Sequence, residues 1–247
     1  MNDSHSTPPV IPPGLPPARP SSLPLGANPD EELPIPNFVG AIEAILRQPR
    51  RVMFQLRQPG AGRLIAAMLT VSVVCGLIYG VIAGTFSGGT QLWAAPVKIV
   101  GGLLISALIC LPSLYIFSCL SGSQARLIEV FGLVAGLLLL MTVLLIGFAP
   151  VAWVFSQSTE SLAAMGALHL AFWFIATCFG LRFLSAAFAH YSSHSGDGLK
   201  VWIVIYLLVM LQMMTALRPI IGTTDTFLPP EKKFFVSHWM ECLKAGK

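Results

Sequence analysis

Residues able to do proton, metal or nucleophilic chemistry are few here: the 247-residue chain has five histidines, five cysteines and eleven carboxylates. His169 stands inside a long apolar stretch, where an ionisable side chain is costly and commonly functional. It is therefore the first candidate for an intramembrane polar site, with proton or ligand handling in a transporter or channel as the chemistry. No Asp or Glu shares any of the long apolar stretches with it, and a neutral imidazole can satisfy itself on a backbone carbonyl. The second constellation is His190-Tyr191-Ser192-Ser193-His194-Ser195-Gly196-Asp197. His190 and His194 would share a helical face and, with Asp197, could bind a metal in a membrane enzyme, whereas the crowding of Ser, Gly and Asp favours a polar loop. The zinc-protease pattern needs a glutamate after the first histidine, and Tyr191 stands there instead. Neither a GxSxG nucleophile turn nor a phosphate-cradling glycine loop occurs. Cys75, Cys110, Cys119 and Cys178 lie in apolar runs without a CxxC pair and read as small core residues. No catalytic constellation and no cofactor are expected.

The elements that must position these residues are apolar to an extent foreign to soluble proteins. Hydrophobic residues make up 55% and charged residues 11% of the chain, and the mean hydropathy is +0.75. Five stretches free of Asp, Glu, Lys and Arg, at 64–84, 99–120, 130–155, 161–181 and 201–217, predict membrane-crossing segments. Because lipid leaves backbone groups no solvent partner, such runs must be helices. The expected fold is thus all-α, a polytopic bundle of five transmembrane helices over residues 63–218. The fifth run is short for a span, and Lys200 and Arg218 can snorkel from its ends to restore the match.

On either side of the bundle the composition changes. Residues 1–36 carry eleven prolines and predict a disordered or polyproline tail. Residues 37–62 predict two basic amphipathic helices broken at Pro49, with Phe38, Ile42, Ile45 and Leu46 on one apolar face and Val52, Met53 and Leu56 on the next. Their Arg47, Arg50, Arg51 and Arg57, with Arg63, are expected in the headgroup layer above a lipid-facing apolar side. These arginines, with Arg126 and Lys200 in alternate connections, predict a cytoplasmic N-terminus by the positive-inside rule. An odd number of spans then puts the 219–247 tail outside, where Phe235, Trp239, Cys242 and Leu243 suggest a short amphipathic helix. No cleaved signal peptide is expected, since the first long apolar run starts at Leu64. The net charge of +4 sits beside apolar runs, so lipid headgroups and not nucleic acid are the expected anionic neighbours.

A packing signal stands out in the first span. Ser72, Gly76, Gly80 and Gly84 recur every four residues and form a smooth stripe on which another helix can lie closely; Gly132 and Gly136 offer a similar surface in the third span. Such stripes serve packing within the bundle or contact with a partner.

The segment Ala44-Ile-Leu-Arg-Gln-Pro49-Arg-Arg-Val-Met-Phe54-Gln-Leu-Arg-Gln-Pro59, followed by five closely spaced spans, resembles bacterial members of the Yip family of polytopic membrane proteins. The resemblance covers roughly residues 38 to 217. It implies a cytoplasmic N-terminal region, five helices and a non-catalytic role in organising membrane partners. Eukaryotic relatives interact with Rab GTPases, but their Asp-Leu-Tyr-Gly-Pro-like signature is not visible in this chain, so Rab binding is not carried across. The resulting expectation is a non-enzymatic scaffold, accessory or assembly subunit of the bacterial inner membrane, whose partners are the bilayer and either other membrane subunits or further copies of itself.

Overall fold

The computed structural model describes residues 24–159, 161–191 and 197–217. Eight helices follow one another there: α1 (Pro29–Glu32), α2 (Phe38–Arg47), α3 (Pro49–Gln55), α4 (Ala61–Thr85), α5 (Gln91–Leu120), α6 (Leu127–Ser158), α7 (Leu162–Tyr191) and α8 (Asp197–Ala216). The last five are long and apolar enough to cross a membrane, with mean hydropathies between 1.7 and 2.7 over their most apolar windows. Even the 20 residues of α8 reach about 30 Å at ~1.5 Å per residue, the depth of a bilayer's hydrocarbon core. The chain is an all-α, polytopic membrane protein.

Each predicted apolar run coincides with one helix, give or take Ser161 and Leu217 at two of the ends, and most of the helices overrun the runs. α5 begins at Gln91 and includes Pro96 and Lys98, α6 includes Glu129, and α7 continues past Leu181 through Arg182 and His190. A charge ends a hydropathy run without ending i→i−4 hydrogen bonding, so the backbone ladder continues into the headgroup layer. Of the predicted polar loop at 190–197, His190 and Tyr191 belong to α7 and Asp197 opens α8, while residues 192–196, His194 among them, lie outside the described residues.

α6 is the hub of the bundle. Of its most apolar window 72% is buried, against 22–39% for the other four spans. α4 and α7 pack along α6, α5 lies on α4, and α8 lies on α5. Leu133, Leu137, Met141 and Leu145 recur at four-residue spacing on α6 and are fully buried. Outward-facing Ile78, Leu108, Ile116 and Phe174 belong to the lipid-facing side.

Part of the apolar side expected to face lipid docks on protein instead: Ile45, Val52, Met53 and Leu56 are buried, while Phe38 and Leu46 stay exposed. Asn37 takes the N-cap position of α2 in extended conformation, and Pro49 opens α3, where its missing N–H costs nothing. Ala44, Ile45, Val52, Met53 and Leu56 are buried in the common core. A Cβ at Gly132 would overlap the Leu56 side chain, and one at Gly136 would sit 2.8 Å from the Phe183 ring and 3.5 Å from Ile45. These two glycines of α6 form the recess that receives the flank.

A tail disordered through residue 36 is corrected as well. Residues 24–36 fold over α3, because arginines on α3 hold their carbonyls. Arg51 donates to the Leu33 and Pro34 carbonyls at 2.9 and 2.8 Å, and Gln55 Nε2 donates to the Glu31, Glu32 and Leu33 carbonyls. Proline supplies no N–H but leaves its carbonyl available, so a proline-rich segment can be pinned by donors from elsewhere. The rest of the predicted tail, residues 1–23, and the C-terminal segment 219–247 with its expected helix lie outside the described residues.

Candidate functional site

The stripe on α4 sets the site's geometry by admitting α5. A Cβ at Gly80 would overlap Pro96 Cα and sit 2.9 Å from Pro96 N. At Gly84 it would meet the Gln91 carbonyl oxygen at 2.6 Å and Leu92 Cα at 3.1 Å, and at Gly76 a Val100 methyl at 2.8 Å. Gly80 and Gly84 therefore lie against backbone, the closest approach two helices can make. Ser72 completes the row, buried and donating to the Met68 carbonyl at 2.7 Å. Gly76, Gly80 and Gly84 lie under α5, so packing within the bundle, one of the two uses their spacing allows, is the one this arrangement makes of them.

Next to Gly80, Tyr79 turns inward and meets His169 of α7. The phenol oxygen lies 2.6 Å from His169 Nδ1, and the rings meet edge to face with centroids 5.6 Å apart. Both side chains are buried, at 2% and 8% exposure. Nδ1 is thus satisfied, while Nε2, whether it bears the proton or the lone pair, has no hydrogen-bond partner among the described residues. A cavity of about 50 Å³ adjoins the pair, lined also by Ser106, Trp173, Met210 and Met213. Ser106 Oγ is likewise buried and unpartnered among the described residues. A void of that size holds a water or a small hydrogen-bonding group, which would relieve the penalty on both atoms. Among the described residues no carboxylate lines it. Nothing in local spacing pairs Tyr79 with a histidine 90 residues away; a tyrosine hydroxyl inside an apolar run was the sole signal.

A second polar cluster sits at the other end of the bundle, beside α3. Arg50 Nε donates to Glu31 Oε1 at 2.6 Å, and its Nη1 lies 3.4 Å from His190 Nε2. Arg57 donates to the His190 carbonyl at 3.5 Å, and Arg126 pairs with Glu129 at 2.9 Å. Burial pushes the Glu31 carboxyl up, but the Arg50 hydrogen bond, the Gly26 N–H at 2.6 Å and the Arg50 charge outweigh it and hold the group below its ordinary value. His190 Nε2 thus faces a guanidinium, which opposes a metal cation at that atom. No group of three His, Cys, Asp or Glu side chains able to hold a metal occurs among the described residues. Of the arginines assigned to the membrane surface, Arg50, Arg51 and Arg57 bind protein groups. Arg47 forms an exposed i,i+4 pair with Glu43 at 3.6 Å, and Arg63 is exposed at the start of α4.

No protein-family model matches this chain, nor does any curated protein or solved structure match it significantly.

Proposed function

We propose that this chain is a non-enzymatic membrane protein of the Yip type, serving as a scaffold, accessory or assembly subunit of a larger complex in a bacterial inner membrane. Its N-terminus is on the cytoplasmic side in this reading, as the alternation of basic flanks supports. One observation carries the proposal: the juxtamembrane helices are two-sided. Their inner side is anchored through Ile45, Met53 and Leu56, while Val39, Phe38 and Leu46 stand outward at 72%, 54% and 47% exposure. Val39 and Leu46 are seven residues apart and so share a face of α2. An apolar face held in place beside the bilayer by protein packing suits contact with a partner subunit. The Pro49–Phe54–Pro59 segment that bears the family resemblance contributes α3, part of that anchor. Val39→Glu combined with Leu46→Glu should release whatever copurifies in gentle detergent while leaving yield and melting temperature unchanged. Native mass spectrometry that found the wild type monomeric and alone would refute the proposal.

The unpartnered His169 Nε2 on its cavity favours a second reading, a transporter or channel subunit with its pathway beside Tyr79 and Ser106. In that case His169→Ala abolishes proton or ion flux into proteoliposomes at unchanged helicity. Flux no greater than in protein-free liposomes for the wild type counts against it.

A further inference from the structure

A larger cavity, of about 380 Å³, opens between the ends of α5, α7 and α8 on the side of the membrane that carries α2 and α3. Its lining combines the apolar side chains of Leu114, Phe188 and Ile203 with the polar ones of Ser118, Ser121, Ser185 and Lys200. The Ser118 hydroxyl is buried, at 2% residue exposure, and without a hydrogen-bond partner among the described residues. Ser121 and Ser185 donate back to the Phe117 and Leu181 carbonyls at 2.9 and 2.8 Å. Lys200, in the first turn of α8, is exposed at the rim. α8 packs chiefly on α5 and α7 chiefly on α6.

We infer that this cavity is a binding site for an anionic phospholipid, its phosphate held at Ser118 and Lys200 and its upper acyl chain laid against Leu114, Phe188 and Ile203. Level, polarity and charge each support this occupant. From Ser121 down to Leu114 α5 descends about 10 Å, the distance from headgroups into the first acyl carbons. An apolar molecule would leave the Ser118 hydroxyl unsatisfied, and a soluble anion would leave the apolar wall wet; a phospholipid meets both demands. A phosphate oxygen is a stronger acceptor than a helix carbonyl, so the back-bonded Ser121 and Ser185 hydroxyls can rotate onto it. The site is independent of the scaffold and transport readings.

The test is native mass spectrometry of the full chain released from nanodiscs of equimolar phosphatidylglycerol and phosphatidylcholine. Wild type should retain phosphatidylglycerol preferentially. Lys200→Glu should lower that retention about fivefold or more, the equivalent of one surface cation, and Ala189→Trp, which fills the cavity from an exposed position without changing charge, should lower it similarly. Arg63→Glu, an exposed charge change on the same side outside the cavity, should leave retention unchanged. Circular dichroism checks that each variant is folded, and the two cavity variants are read independently. Equal retention of both lipids would overturn the site, as would wild-type retention in both cavity variants. So would a loss in Arg63→Glu as large as in Lys200→Glu, which would mark general surface charge. Displacement of the lipid by millimolar inorganic phosphate would assign the site to a soluble anion and overturn the lipid.

Discussion

Replacing Gly80 by alanine adds one carbon where α4 and α5 are closest, and the carbon would land on the Pro96 backbone. A flexible side chain could swing aside; Pro96 Cα and N can move only with α5. Restoring ordinary contact requires the helices to part by about 1 Å, which forfeits a quarter to a half of each dispersion contact along the seam. Overpacking of this kind costs about 3 kcal/mol, the upper end of its usual range, because backbone yields least. Alanine regains about 1 kcal/mol of helix propensity, so the net loss is about 2 kcal/mol. Gly147→Ala on α6 is the control, since nothing lies within 4 Å of its added carbon, and it should gain up to about 1 kcal/mol. Gly84→Ala should resemble Gly80→Ala, and Gly76→Ala should be milder because its added carbon meets a side-chain methyl of Val100. Denaturant unfolding in lipid micelles, followed by the fluorescence of the chain's five tryptophans, measures each difference. Should Gly80→Ala and Gly147→Ala agree within about 0.5 kcal/mol, the inference that the stripe seats α5 would be wrong.

The Tyr79–His169 pair should behave as a coupled unit: His169→Ala strands the Tyr79 hydroxyl and costs about 2 kcal/mol, and Tyr79→Phe with His169→Ala should cost about 1 kcal/mol less than the two single losses combined. Strict additivity in the same unfolding assay would show that the 2.6 Å contact carries no coupling. Acid should release the N-terminal segment. Pairing holds Glu31 below its ordinary 4.5, so its stabilisation is complete above that pH and is lost as pH falls through the lower folded-state value. Hydrogen exchange of residues 26–36, corrected for intrinsic rates, should show this step in the wild type and none in Glu31→Gln; an identical acid response in both would remove Glu31 as its origin.

Hydropathy by itself determined that five helices cross a membrane, because the cost of a charge in lipid is paid locally and each run can be read without knowing its neighbours. The break at Pro49 was legible for the same reason, since a proline acts on its own backbone. Spacing showed that Ser72, Gly76, Gly80 and Gly84 form a stripe, yet a smooth face names no partner, and only the packed bundle assigned it to Pro96, Gln91 and Val100. The helix ends were less legible, since Lys98, Glu129 and Arg182 interrupt hydropathy but not backbone hydrogen bonding. Residues 24–36 looked structureless because the donors that hold them, Arg50, Arg51 and Gln55, lie 17 to 26 residues away. His169 was conspicuous as an ionisable residue in an apolar run, but its meeting with Tyr79 and Ser106 depends on how α4, α5 and α7 converge around α6. Such convergence is decided by the fit of small and large side chains across helices, a property of pairs distant in the chain that no local reading contains.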